Sequence, residues 1–140
     1  MAATQLNAIP STGLPTNGAE TVVVTTPGYV YDYPQAFVGT EHLGAGQGVT
    51  VSGVVVFTVV GSGVTSASVR IRQGALAGTQ VGATFTVPVA AGVPNVIPFI
   101  GNDLSRFPAQ AGGGVYVVTV SETGATGAST VTGVCNVEGA

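Results

Sequence analysis

Residues 48–60 read GVTVSGVVVFTVV, and this run constrains the fold more than any other. With a period of two, Val49, Val51, Val55, Phe57 and Val59 fall on one face. Val54, Val56, Thr58 and Val60 fall on the other. β-Branched and aromatic residues at this density suit a pleated strand. A strand apolar on both faces is covered on both faces. Gly53, in its middle, marks a bulge, a bend or a close approach by another backbone.

The same grammar runs along most of the chain. Strands are expected at 20–26, 29–37, 48–60, 67–73, 79–89, 93–100, 115–122 and 128–139. Turn signals such as Pro27-Gly28, SGVTS (62–66) and GATG (124–127) separate them. Pro94 and Pro98 place the sixth run at a sheet edge, because proline cannot donate to a ladder. In 67–73, Val69 and Ile71 point inward, and Ser68, Arg70 and Arg72 point outward. In 128–139, Val131, Gly133, Cys135 and Val137 share one face, and Thr132, Val134, Asn136 and Glu138 the other. No window shows a helical stripe; residues 101–114 read as a loop with one helical turn at most. About eight strands at this spacing predict an all-β fold, an antiparallel β-sandwich of jelly-roll type. Residues 1–19 show no period and read as an extended N-terminal arm or a disordered terminus; residues 20–140 read as one sandwich domain.

Charge is scarce: 6% of residues, against about 25% in an average domain. The exterior must therefore be built of Thr, Ser, Gly, Asn and Gln, or be covered by a partner, since interface cores are depleted in charge. There is no lysine, and three arginines with a net charge of −3 cannot form a phosphate-neutralising patch. Nucleic-acid binding and a basic membrane anchor are therefore not expected. Residues 1–13 lack the charged and apolar regions of a signal peptide, and no run is long and apolar enough for a membrane helix. Synthesis and assembly in a cytoplasm is the corresponding expectation.

The search for chemistry yields little. His42 beside Glu41 is the sole histidine and could act as a base, yet no nucleophile motif accompanies it. One His, one Cys and six acidic residues give no metal spacing, and Asn102-Asp103 reads as an Asx cap or turn. Cys135 reads as a small buried apolar residue. The glycine clusters at 44–48 and 112–114 match no phosphate-binding loop. No catalytic residue, cofactor or metal is expected, and the chain is read as a non-enzyme. Candidate interface residues are Tyr29, Tyr31, Tyr33 and Phe37, whose tyrosines share one strand face, and the neighbouring Arg70 and Arg72. The tyrosines suit an interface or a sandwich rim. At least one arginine is expected to pair with a carboxylate: Glu122, Glu138 or an acid on a neighbouring subunit.

Residues 49–82, VTVSGVVVFTVVGSGVTSASVRIRQGALAGTQVG, and 112–139, GGGVYVVTVSETGATGASTVTGVCNVEG, resemble small β-sandwich structural proteins of tailed bacteriophages, of the head-decoration or fibre type. The resemblance implies a virion role, homotrimers and docking on a major capsid protein or another virion protein. A similar sandwich occurs in trimeric domains of the tumour-necrosis-factor and C1q type. That likeness implies a receptor- or glycan-binding surface, with a pocket near 29–33 or 101–106.

Overall fold

A computed structural model describes residues 3–15, 18–26, 49–59, 66–103, 115–123 and 129–139. Eight strands form there: β1 (Ala3–Gly13), β2 (Thr21–Thr25), β3 (Val49–Thr58), β4 (Ser66–Gln73), β5 (Gln80–Pro88), β6 (Pro94–Asp103), β7 (Tyr116–Thr123) and β8 (Thr130–Gly139). They build two four-stranded antiparallel sheets, sheet A in the order β1-β8-β3-β6 and sheet B in the order β2-β7-β4-β5. Only β4 and β5 are consecutive neighbours within one sheet; every other connection between consecutive strands crosses between sheets. That alternation is the jelly roll, the architecture expected from the strand spacing.

The set of eight differs from the expected set in one member. Residues 3–13, within the expected arm, are a strand hydrogen-bonded along β8. Its period is hidden because a bulge between Ile9 and Thr12 contains Pro10, so the side chains change face partway along. The expected strand 29–37 lies outside the described residues.

The core lies between the sheets. Val49, Val51, Val55, Phe57 and Val59 of the β3 region are buried there, as are Val131, Cys135 and Val137 of β8. Val69 and Ile71 of β4 and Val118 and Val120 of β7 face them from sheet B. The face assignments made for 48–60, 67–73 and 128–139 agree with this burial. Gly53 carries no bulge: its register with Cys135 and Phe99 is continuous. A Cβ there would lie 2.8 Å from the Phe99 ring and would run into the Val134 carbonyl. Close approach is therefore the reason for this glycine.

Cys135 is fully buried, and burial pushes its thiol up to about 11. Since the thiolate is the reactive form, Cys135 is expected to resist iodoacetamide in the folded protein and to react once denatured. Mass spectrometry after timed labelling checks this; rapid alkylation of the native chain would show that β8 opens readily.

Candidate functional site

Three places in the described structure concentrate polar or exposed apolar groups. The first is the outer face of sheet B. Arg70 and Arg72 stand one residue apart on β4, so both project from that face. Their partner is Glu20, just before β2. Arg72 Nε donates to Glu20 Oε2 at 2.6 Å, and Arg72 Nη2 donates to Oε1 at 2.9 Å. Arg70 Nη1 lies 3.5 Å from Oε1 and donates to Ser121 Oγ at 3.1 Å. Arg72 Nη1 also donates to the Gly78 carbonyl at 3.2 Å, bracing the β4–β5 turn. The expected carboxylate pairing is present, but with a different acid. Glu122 lies on the inner face of β7, and Glu138 lies on the other sheet, so neither reaches the arginines. Nothing in a linear reading links Glu20 to residues about fifty positions away. Thr119 is buried beneath this network, and Ser68 and Thr86 bond at 2.8 Å beside it. The polar face of sheet B thus satisfies itself within one chain.

The Arg72 fork holds the Glu20 carboxyl below the 4.5 of a free glutamate, with the Thr119 hydroxyl and Arg70 adding to the effect. Its folded pKa is below its unfolded one. The stabilisation is therefore complete above about pH 4.5 and is lost as pH falls through the folded value. Glu20→Gln is expected to destabilise the domain by about 1 kcal/mol at neutral pH, as suits a partly exposed bidentate pair. The difference should shrink toward zero in acid. Urea titrations of both proteins at neutral and acid pH test this; a difference independent of pH would remove the ion pair as its cause.

The second place is buried. Asp103, at the end of β6, accepts 2.8 Å hydrogen bonds from the Tyr116 hydroxyl and from Gln73 Nε2 at the same oxygen. This joins sheet A to β7 and β4 of sheet B. Thr26 braces the site: its hydroxyl accepts from the Tyr116 amide at 2.8 Å, and its own amide donates to the Tyr116 carbonyl. The Asx-cap reading of Asn102-Asp103 is corrected here. Both residues are strand residues; the Asn102 side chain accepts from Thr50 Oγ1 at 2.7 Å, and Asp103 turns into the interior. Glu122 is also buried, and its two carboxylate oxygens and the buried Ser129 hydroxyl have no hydrogen-bond partner among the described residues. No group of three or more His, Cys, Asp or Glu side chains among the described residues could hold a metal.

The third place is the outer face of sheet A. In register across it, Val54 lies between Pro98 and Val134, with Ala8 beyond Val134. Ser52 lies between Ile100 and Asn136, with Leu6 beyond. Val56 lies between Val96 and Thr132. Leu6 is 69% exposed, Val96 64%, Ile100 54% and Val134 41%. A depression of about 500 Å³ opens there, with Val54, Pro98, Ile100 and Val134 in its lining. The two-sided apolar pattern of β3 is the sequence signal for this face. The candidate residues Tyr29, Tyr31, Tyr33 and Phe37, with His42 and Glu41, lie outside the described residues.

No protein-family model and no curated protein sequence matches the chain. Solved structures do. The chain is similar to VP2 of infectious bursal disease virus in a subviral particle, with a TM-score of 0.55 and 11% identity over 98% of this chain and 32% of that one. It is similar to T=1 particles derived from infectious bursal virus, with a TM-score of 0.56 and 14% identity over 98% of this chain and 31% of that one. A structure of the Gt strain of the same virus gives 0.55 and 13%, over 98% and 33%. The chain spans about a third of the length of these structures. At such identities the likeness establishes a shared β-sandwich fold.

Proposed function

We propose that this chain is a non-enzymatic structural protein of a virion, which trimerises and docks on a capsid surface to decorate or stabilise it. The observation that carries the reading is the outer face of sheet A: a broad apolar surface on a jelly roll that has almost no charge elsewhere. Sheet faces of this kind are stable when another sheet or subunit covers them. The solved structures of similar fold, described as viral particles, support the virion setting. So does the way chemistry is arranged in the described part. Glu20 is tied to arginines, Asp103 and Glu122 are buried, Glu138 stands alone at one rim of sheet A, and the cysteine is held as a thiol, so the described groups make no catalytic pair. Tyr29, Tyr31, Tyr33 and Phe37 are proposed to contact the capsid or a neighbouring copy, because tyrosine combines an apolar body with a hydrogen-bonding tip. Electron microscopy of the concentrated protein tests the reading. Threefold clusters or closed particles are expected; a field of single domains at every concentration would contradict it.

A further inference from the structure

We infer that a second copy of this chain packs on the outer face of sheet A, centred on Val54 and Val134. The inference rests on the self-assembling reading above and assigns it a surface.

Three observations point to a copy of the same chain. The first is composition. Across the outer rows of β1, β8, β3 and β6, Glu138 at one rim is the single charged residue among the described ones. A basic or acidic partner would bury its charges here unpaired, at high cost. A matching surface is uncharged, apolar at its centre and polar at its rim, and this face is itself such a surface. Thr50 and Asn102, bonded to each other at one rim, are the kind of groups that close a contact edge.

The second observation concerns the sheet edges. Copies of a β protein can join by extending a sheet or by stacking faces. Extension is obstructed. The edge strand β1 is broken by a bulge at Pro10, and the edge strand β6 carries Pro94 and Pro98. On the other sheet, edge strand β5 ends at Pro88, and β2 is five residues long. Proline and short strands blunt edge pairing. Stacking remains, and sheet B presents its satisfied arginine–glutamate network where sheet A presents bare Val, Leu and Ile.

The third observation is area. Four strands about 4.8 Å apart and seven residues at about 3.3 Å each make a face of about 440 Å² in projection. A stable pair buries about 800 Å² on each partner. One face supplies about half of that. Association through it is therefore weak between two free chains and firm where further contacts hold the copies together, as on a shell.

Sedimentation velocity on the full chain, from low micromolar to near-millimolar concentration, tests the inference. The wild type is expected to sediment faster as concentration rises. Val134→Asp and Val96→Asp are expected to weaken association at least tenfold, about 1.4 kcal/mol or more. Val96 is largely exposed on an edge strand, so Val96→Asp keeps the fold even if Val134→Asp strains it. Ala83→Asp, exposed on sheet B, should associate as the wild type does. Circular dichroism confirms that each variant is folded. Association that survives both sheet A substitutions would overturn the face assignment and leave self-assembly standing. A wild type that stays monomeric throughout would overturn both and assign the face to a different protein.

Discussion

Gly133→Ala is expected to destabilise this protein by about 3 kcal/mol or more, a large share of a small domain's stability. Gly133 sits opposite Val55 in the β3–β8 ladder at the centre of sheet A. Its φ of +151° is one that side-chain-bearing residues rarely adopt. A Cβ there would run into the Val54 carbonyl oxygen and lie 3.0 Å from its carbon and 3.1 Å from Val55 Cα. All three are backbone atoms, so no rotamer change relieves the clash. The strands must separate, and the ladder between β3 and β8 must open where it lies deepest. Gly53→Ala repeats the experiment from the other strand. There the added carbon meets the Val134 carbonyl, Cys135 Cα at 3.1 Å and the Phe99 ring that covers the glycine. Chemical denaturation monitored by circular dichroism measures both; a Gly133→Ala protein within 1 kcal/mol of the wild type would mean that the close approach is not a constraint.

Asp103→Ala should cost about 3 kcal/mol for a different reason. The substitution removes little volume but takes their shared acceptor from the buried Tyr116 hydroxyl and the half-buried Gln73 amide. A buried polar group left without a partner costs about 1–3 kcal/mol each. Tyr116 is fully buried, so its hydroxyl cannot turn to water. The double variant Asp103→Ala, Tyr116→Phe separates the two possible causes. Removing the Tyr116 hydroxyl as well should recover part of the loss, because both partners are then apolar. Thermal melts of the single and double variants check this. Additive losses would show that Asp103 and Tyr116 act independently.

The strand plan was legible because it depends on local pattern. β3, β4 and β8 alternate cleanly, so their inner faces could be assigned residue by residue. The prolines of β6 announced an edge. β1 was hidden for a local reason too: Pro10 and its bulge break the period that would have revealed it. What could not be read were the pairings that folding makes between distant residues. Arg72 finds Glu20 across the width of sheet B, and Asp103 finds Gln73 across the sandwich. At least one of Arg70 and Arg72 was expected to be tied to an acid, and geometry decided which acid. The apolar outer face of sheet A stands between these cases. β3 showed that both of its faces are apolar, but only the register of β1, β8 and β6 showed how far the surface extends.

Two arginines set side by side in a nearly uncharged chain first suggest a site for a partner. Their fork to Glu20 and bonds to Ser121 and Gly78 make them a clasp within sheet B. The surface proposed for a second copy is the one without charge. Native mass spectrometry of the intact chain at high concentration measures that claim most directly. The account predicts assemblies of two or more copies of the 13.7 kDa chain at high concentration, reduced to single copies by Val134→Asp. A wild-type spectrum of single 13.7 kDa chains at every concentration would contradict it.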